Sequence, residues 1–146
     1  MNLELRSKSP EEILRWAVDR FGGRLALQSS MQNTAGVLMQ MISRIAPETE
    51  IIFVDTGVHF PETLQLRDEF RARYGLNIQT YGPEKSFDQQ REEFGRDLYL
   101  SDDTKPGSLP GYRHCCFLRK EQPFVNAVKG RFDAVVGGLM LSLIHI

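Results

Sequence analysis

Apolar residues recur along this chain at two alternating spacings, one typical of helices and one typical of buried strands. The first helix is predicted after Ser9, which begins a Ser-Pro-Glu-Glu segment and has Glu12 three positions later, as in a capping box. Gly22-Gly23 ends this helix. Helical spacing predicts four more helices, and the last of them is expected to kink or restart at Pro123. They are residues 35–45, 61–74, 86–94 and 116–128.

Four short runs rich in apolar residues predict strands at residues 24–28, 50–54, 77–81 and 132–136. The second run is continuous and apolar on both faces, which is typical of a parallel sheet covered on both sides. Residues 29–34 and 101–114 are polar or rich in Gly and Pro, so they are predicted loops. Because strands alternate with helices, the sequence predicts an α/β fold: a parallel sheet with right-handed crossovers and helices on both faces.

The length, charge and apolar content of the chain argue against some classes of function. The 146 residues suit one domain, and 18 Lys+Arg against 19 Asp+Glu give a net charge of −1, which offers no general argument for nucleic-acid binding. The amino-terminal residues lack the apolar segment of a secretory signal. The longest uncharged apolar stretch, residues 134–146, has 13 residues, fewer than the ~20 of a membrane-spanning helix. The protein is therefore expected to be soluble and cytoplasmic, with no membrane partner.

Three turns with polar or glycine residues are predicted at the carboxyl ends of strands, where ligands bind in parallel sheets. They are Ser29-Ser30-Met31-Gln32, Asp55-Thr56-Gly57 and Gly137-Gly138. Their small residues permit a ligand to approach the backbone, and a helix begins just after the first turn, so a nucleotide phosphate or a sulfate is a candidate ligand. None of them matches the Walker loop, the Gly-x-Gly-x-x-Gly dinucleotide pattern or the Ser-Gly-Gly-x-Asp-Ser loop of ATP pyrophosphatases. Ordinary structural turns are the alternative interpretation.

The chain has two cysteines, and they are adjacent. Cys115 and Cys116 are flanked by four potential cations, and a helix is predicted to begin at the pair; both features stabilise thiolates. The cations are Arg113, His114, Arg119 and Lys120. Thiolates bind soft metals and iron–sulfur clusters, so the pair is a candidate half-site for a metal or cluster, or a redox pair. Two small buried side chains at a helix start are the alternative interpretation.

The histidines offer two weaker hypotheses. A zinc site would need His59, His114 or His145 beside the cysteines, and adjacent cysteines strain tetrahedral coordination. His59 and Asp55 lie four residues apart and could form an acid/base pair, but no nucleophile accompanies them. Asp55 is predicted to be a ligand or a turn residue instead.

Residues 115–123, with the pattern Cys-Cys-x-x-Arg-Lys-x-x-Pro, resemble the double-cysteine segment of the assimilatory adenylyl-sulfate reductases. These enzymes are the iron–sulfur branch of the phosphoadenylyl-sulfate reductase family. Residues 54–63 resemble that family's Asp-Thr-Gly…His-Pro-Glu-Thr segment. Ser29-Ser30-Met31 takes the place of its serine-rich nucleotide loop, and residues 136–140 resemble the strand before its Arg-Ser segment. The resemblance is collinear over about residues 10–140.

This resemblance implies an adenine-nucleotide α-hydrolase-like fold and the thiol-dependent reduction of adenylyl sulfate, or of its 3′-phosphorylated form, to sulfite. Cys115 and Cys116 would be ligands of a 4Fe-4S cluster, and Lys120 would support the charge of the cluster and of the sulfate. Thioredoxin or glutaredoxin would be the electron donor, and the oligomeric state stays open, a homo-oligomer included. The implied nucleotide pocket is lined by Ser29, Ser30, Met31, Asp55, Thr56, Gly57, Gly137 and Gly138.

The chain departs from the family pattern toward its end. A later Cys-x-x-Cys pair and the cysteine that attacks the sulfate sulfur are absent, so two of the four cluster ligands and the nucleophile are missing. Residues 141–146, Leu-Ser-Leu-Ile-His-Ile, match the translation of a sequencing-adapter end. We therefore expect residues 1–140 to be the amino-terminal part of the reductase domain and residues 141–146 to be an adapter-derived tail. Such a chain is expected to be an inactive fragment with an incomplete sheet.

Two other functions stay open on the residues alone. One is a nucleotide-binding transferase or pyrophosphatase-like enzyme of the same fold, with structural cysteines. The other is a non-enzymatic redox or metal sensor that uses the vicinal cysteines. Iron content separates the reductase from the first of these, and binding of adenylyl sulfate separates it from the second.

Overall fold

Four strands form one parallel sheet in the computed structural model, which describes residue 5 and residues 7–100 and 111–138. The strands are β1 (Leu25–Ser29), β2 (Glu50–Val54), β3 (Ile78–Tyr81) and β4 (Ala134–Gly137). Their order across the sheet is β3-β2-β1-β4, and β1 pairs in parallel with both β2 and β4. The predicted α/β fold is confirmed, and each predicted strand lies within two residues of the observed one.

The strand order reverses beside β1. The chain passes from β1 to β2 to β3 on one side, and β4 then lies on the other side of β1, where Gln28 is opposite Gly137. In doubly wound sheets such a reversal opens a crevice at the carboxyl ends of the strands, and ligands bind there. The turn after β1 and the end of β4 therefore flank the position where this fold binds ligands.

Both faces of the two central strands are buried. Leu27 and Ile51 belong to the main core cluster, whereas Ala26 and Ile52 are equally buried but outside it. Successive side chains of a strand point to opposite faces, so these two pairs cover opposite sides of the sheet. This double burial explains why the β2 segment is apolar without alternation.

The described residues divide into two compact units. The first contains the described residues up to Phe53, the segment Pro61–Gln79, and the residues from Gly130 onward. The second contains Val54–Phe60 and Thr80–Lys129.

The first unit contains α1 (Pro10–Phe21), α2 (Asn33–Ile45) and α3 (Pro61–Tyr74). The predicted capping box of α1 is confirmed. The Ser9 N–H donates to Glu12 Oε2 at 2.7 Å, and the Glu12 N–H donates to Ser9 Oγ at 3.3 Å. Hydrogen bonds from Ser9 to the Glu12 carboxylate hold the pKa of Glu12 below its usual value, the bond from the Ser9 backbone N–H being the main cause.

The core of the first unit is built from α1, α2 and the inward faces of the strands. Its buried members include Leu14, Met39, Ile42 and Phe53. Helix α3 contributes half-buried side chains to this core and buries none completely. These are Leu64, Leu66, Phe70 and Tyr74. The predicted bounds of α3 are correct, but its apolar side chains cover the core only partly.

The second unit contains α4 (Phe87–Phe94), a 3-10 turn at Leu98–Leu100, α5 (Gly111–Cys116), a π-helical turn at Phe117–Glu121, and α6 (Gln122–Val128). Ser86 caps α4, because its Oγ accepts from the Gln89 N–H at 3.2 Å and the Gln89 side chain bonds back to the Ser86 N–H. Gly95 ends this helix in the left-handed conformation.

The helix that carries the two cysteines begins earlier than the sequence predicts. The predicted loop at residues 101–114 is wrong for residues 111–114, which are helical, and residues 101–110 lie outside the described part. Helix α5 packs against the Leu98–Leu100 turn, and this tertiary contact favours helix from Gly111 onward. The cysteines consequently occupy the last two positions of α5 and are not at a helix amino terminus, so the predicted dipole effect on them is wrong.

The predicted interruption at Pro123 takes the form of a π-helical turn. The Gln122 N–H donates to the Phe117 carbonyl, five residues earlier, directly before the proline. Proline has no N–H to donate to a carbonyl four residues back, so a wider turn accommodates it without breaking the helix. Helical structure runs from Gly111 to Val128.

Among the described residues, no helix has the length and apolar character that crossing a membrane requires. The predicted adapter-derived tail at residues 141–146 lies outside the described residues, as does His145.

Candidate functional site

In the first unit, the turn between β1 and α2 is held by Ser29. Its Oγ accepts a hydrogen bond from the Met31 N–H at 3.2 Å and also lies 3.7 Å from the Met31 sulfur. Met31 has a φ of +59°, which non-glycine residues rarely adopt, and its side chain is buried. Such strained backbone persists only where the surroundings enforce it, and it concentrates at functional sites.

The residues next to this turn leave its backbone open to a ligand. Ser30 is exposed, and the exposed side chain of Gln32, the N-cap residue of α2, makes no capping hydrogen bond. Backbone N–H groups at a helix start are suited to anions such as phosphate or sulfate. The structure thus gives the predicted serines different roles, since Ser29 fixes the turn and Ser30 faces outward.

The two glycines at the end of β4 differ in their surroundings. A Cβ atom on Gly138 would lie 3.3 Å from the Thr34 carbonyl group and 3.3 Å from the Leu38 side chain, so the backbone of Gly138 lies against the first turns of α2. A Cβ atom on Gly137 would meet nothing within 4 Å. The end of β4 and the start of α2 therefore converge, and Gly138 is the residue that permits it.

In the second unit, Asp55, Thr56 and Gly57 form a tight turn. Asp55 Oδ1 accepts from the Gly57 N–H at 2.9 Å, which is an Asx turn. Gly57 has a φ of +81°. His59 Nε2 lies 3.0 Å from the Val54 carbonyl oxygen. These contacts support the predicted turn role of Asp55, and they engage each partner of the hypothetical acid/base pair with the backbone.

Cys115 and Cys116 both line one cavity of about 570 Å³ within the second unit. Cys115 is buried and Cys116 is exposed, and neither forms a disulfide. The walls of the cavity are largely apolar, with Thr56, Arg119 and Lys120 as its polar members. The apolar and aromatic wall residues are Val58, Phe87, Tyr99 and Tyr112.

Arg119 is the buried cation of this cavity, with 5 % of its surface exposed. Its Nε donates to the Thr56 carbonyl at 2.7 Å and its Nη1 donates to the Lys85 carbonyl at 3.1 Å. Its guanidinium carbon lies 3.6 Å from the centre of the Phe87 ring, a cation–π contact. Burial lowers the pKa of Arg119, while negative charge at Cys115 and at Asp55 acts in the opposite direction. Arg119 thereby connects the Asp55–Gly57 turn to the helix that carries the cysteines.

The other predicted cations are placed differently. Lys120 is exposed and lines the cavity with the cysteines. His114 packs edge-to-face on Phe94, with ring centres 5.0 Å apart. Within residues 7–100 and 111–138, no three His, Cys, Asp or Glu side chains lie together as a metal site would require. The zinc hypothesis therefore finds no support there.

The two thiols suit half of a cluster site. Adjacent thiols that line one largely apolar cavity, with two cations beside them, combine soft donors with positive charge and apolar surface, and this combination suits an iron–sulfur cluster. They can supply two of four ligands. The donor set thus fits the predicted cofactor as far as the described residues extend.

Gln90 belongs to this site and is missed by the sequence analysis. It lies within a short, charged helix, where no local pattern distinguishes it from its neighbours. The structure buries it and places it in contact with both Arg119 and Cys115.

Comparison with known proteins identifies the family. Residues 24–139 match the model of the phosphoadenosine phosphosulfate reductase domain. The chain belongs to the phosphoadenosine phosphosulfate reductase family. An adenosine 5′-phosphosulfate reductase of Mycolicibacterium smegmatis is 38 % identical over 136 residues, which are 93 % of this chain and 52 % of the relative. A phosphoadenosine 5′-phosphosulfate reductase of Gloeobacter violaceus is 35 % identical over 132 residues, covering 90 % of this chain and 51 % of the relative.

A solved structure from the same family shares the fold. The phosphoadenylyl-sulfate reductase of Candida auris, in a phosphate complex, superposes with a TM-score of 0.75 at 32 % identity, over 92 % of this chain and 63 % of that chain. This confirms the family and the fold that the resemblance implies. The chain spans about half the length of the curated relatives it matches.

Proposed function

We propose that this chain is the nucleotide-binding and cluster-binding part of an assimilatory sulfonucleotide reductase. The observation that carries the proposal is the shared cavity of Cys115 and Cys116, whose buried Arg119 is bonded to the Asp-Thr-Gly turn. Membership in the phosphoadenosine phosphosulfate reductase family supports the substrate class, which is adenylyl sulfate or its 3′-phosphorylated form. The double cysteine supports the iron–sulfur branch and plain adenylyl sulfate.

In this proposal the first unit binds the nucleotide. The strained turn at Ser29–Met31 leads into the start of α2, whose backbone N–H groups are offered to the anionic part of the substrate, with Ser30 as an exposed hydroxyl. Gly137, where a Cβ atom would meet nothing within 4 Å, leaves room for the substrate beside the end of β4, and Gly138 lets that end lie against α2. For Asp55, Thr56 and Gly57, which belong to the second unit, a role toward the nucleotide rests on the resemblance of their segment alone.

The second unit would bind the 4Fe-4S cluster through Cys115 and Cys116. When bound, the cluster supplies a compact iron–sulfur centre whose electronic properties depend on the charges and hydrogen bonds around its sulfur atoms. Arg119 and Lys120 provide positive charge beside those sulfurs, and the apolar and aromatic residues of the cavity wall lie around them. Lys120, being exposed, is the cation available to a sulfate group.

The reduction needs a further thiol. A thiolate attacks the sulfate sulfur, the S–O bond to the nucleotide breaks, and a nucleoside phosphate leaves. A dithiol donor such as thioredoxin or glutaredoxin then reduces the resulting thiosulfonate, releasing sulfite while the donor becomes a disulfide. Both cysteines of this chain are assigned to the cluster, so we expect the 146-residue chain alone to form no sulfite.

Four measurements test the proposal. Calorimetric titration of the chain with adenylyl sulfate is expected to show binding, and the protein from the complete reading frame is expected to contain iron. Nucleotide binding without iron would favour the transferase or pyrophosphatase-like hypothesis, and iron without nucleotide binding would favour the sensor.

Sequencing the source locus beyond codon 140 is expected to reveal a Cys-x-x-Cys pair and a further cysteine. Sulfite formation by the 146-residue chain alone would contradict the proposed assignment of its cysteines.

A further inference from the structure

Gln90 joins the two groups on which the proposed function depends most. Its side chain is buried, with 4 % of the residue exposed. Arg119 Nη1 donates to Gln90 Oε1 at 3.4 Å, and Gln90 Nε2 donates to Cys115 Sγ at 3.5 Å. The amide therefore bridges the buried guanidinium and one of the two thiol sulfurs.

Arg119 determines which end of the Gln90 amide faces the sulfur. A guanidinium only donates hydrogen bonds, so it must face the amide oxygen, and the amide N–H₂ is then directed at Cys115. Arg119 itself is fixed by the Thr56 and Lys85 carbonyls and by the Phe87 ring. The orientation of the N–H···S bond is thus set by three contacts remote from the sulfur.

A buried N–H directed at sulfur suits a sulfur that carries negative charge. A neutral thiol is a weak acceptor, whereas a thiolate or a metal-bound sulfur accepts a hydrogen bond strongly. Among the described residues, no buried side-chain nitrogen or oxygen lacks a partner, and the contact with Cys115 is the one that satisfies the Gln90 amide nitrogen. The arrangement is therefore most favourable when Cys115 acts as a ligand.

We propose that Gln90 is a positioning residue, which fixes the Cys115 sulfur and strengthens it as a ligand through an N–H···S hydrogen bond oriented by Arg119. This inference rests on the proposed function, since it names a further residue of the same site. In this proposal the side-chain amide of Gln90, and not burial of Cys115 as such, makes the sulfur a better ligand.

The test uses the 146-residue chain and Cd²⁺ alone as a soft probe cation, followed by its ultraviolet thiolate absorption. Gln90→Leu is similar in volume to the wild-type side chain and removes both polar atoms, so the sulfur loses its donor while no new oxygen ligand for Cd²⁺ is introduced. Gln89→Leu is the matched control, because it makes the same replacement one residue earlier, at an exposed position. Gln90→Asn, which keeps the amide but is one methylene group shorter, is the second variant.

Wild type and Gln89→Leu are expected to bind Cd²⁺ alike, and both Gln90 variants to bind it ~10–100-fold more weakly, the range typical of lost outer-shell contacts. In a Cys115→Ser background, Gln90→Leu is expected to have no further effect on Cd²⁺ binding, because the sulfur with which residue 90 interacts is gone. A purely structural role of Gln90 would weaken binding equally in both backgrounds, and that result would overturn the proposal. Unchanged binding by Gln90→Leu, or no Cd²⁺–thiolate band in wild type, would overturn it too.

These outcomes are separable from those of the proposed function. Loss of the Gln90 effect with normal binding of adenylyl sulfate leaves the reductase assignment intact. The chain could instead show a Gln90 effect that depends on Cys115 and yet bind no adenylyl sulfate. That result would support the role of Gln90 and contradict the proposed reductase function.

Discussion

Gly57 lies so close to Arg119 that a Cβ atom built on it would come within 2.8 Å of the guanidinium Nη2. The approach is possible because residue 57 has no side chain and because its φ of +81° is a conformation that glycine adopts freely. Arg119 has little room to move, since two backbone carbonyls and the Phe87 ring hold it. Both the observed position of Arg119 beside the cysteines and the conformation of the turn therefore require glycine at position 57.

Gly57→Ala is expected to destabilise the chain more than Gly75→Ala. Both glycines have positive φ, which costs an alanine about 1–2 kcal/mol, but a Cβ atom at Gly75 meets nothing within 4 Å. Overlap with Arg119 should add about 1–3 kcal/mol at position 57. Urea unfolding of the two variants measures the difference. Equal losses of stability would show that Arg119 yields easily.

Gly138→Ala is expected to weaken the binding of adenylyl sulfate about tenfold, or ~1.4 kcal/mol. The added methyl group would press on the Thr34 carbonyl group and shift the start of α2, which the proposal assigns to the anionic part of the substrate. Gly23→Ala is the control, because its methyl group would enter open space at a position that precedes β1. Calorimetric titration of both variants provides the comparison, and an equal effect of the two would speak against a role for the β4–α2 contact.

Cys115→Ser is expected to remove the iron and the brown colour from the protein expressed from the complete reading frame. A serine hydroxyl is a poor ligand for an iron–sulfur cluster, and a cluster with a missing thiolate does not assemble stably. Iron and acid-labile sulfide per protein, with the visible absorption spectrum, provide the measurement. Cys116→Ser should behave alike, and an unchanged iron content in either variant contradicts the assignment of that cysteine.

The ion pair between Arg24 and Asp133 is expected to contribute to the free energy of unfolding at neutral pH, and this contribution should be lost at acid pH. Arg24 Nε and Nη2 donate to the two carboxylate oxygens at 2.6 and 2.7 Å, and these bonds hold the pKa of Asp133 below the usual value of an aspartate. A lowered folded-state pKa stabilises the protein above the unfolded-state value, and this contribution is lost as the pH falls through the folded-state value. Asp133→Asn should therefore be less stable than wild type near pH 6, and the gap should narrow toward pH 3. Urea unfolding at both pH values measures it, and a constant gap would assign the effect to something other than titration.

The elements that the sequence predicts well are those whose signals are local. The bounds of β2 match because its continuous apolar run is buried on both faces, and α1 matches because Ser9 and Glu12 form their cap within four residues. The Asp55 turn is equally local, since it closes on Gly57. Each of these features could be predicted from a few neighbouring residues.

The contacts that organise the cysteine cavity join residues far apart in the sequence. Arg119 reaches Thr56 across 63 positions and Gln90 across 29, and no periodicity in the sequence indicates either contact. The early start of α5 depends on packing against the Leu98–Leu100 turn. The local sequence does not indicate this contact, because the residues between the turn and α5 are rich in Gly and Pro and are typical of a loop. The sequence therefore yields the candidate site residues, whereas the fold decides which neighbours contact them.

The π-helical turn at Phe117–Glu121 has a consequence for insertions and deletions. Each residue of a helix turns the chain by about 100°, and a π-helical turn accommodates one residue more than the α-helical pattern would. Deleting one residue from this turn would restore regular α-helix and rotate Cys115 and Cys116 by about 100° relative to α6. The thiols would then leave the cavity although no residue that lines it had changed its identity. The spacing between the cysteines and Pro123 is thus as much a part of the site as the cysteines themselves.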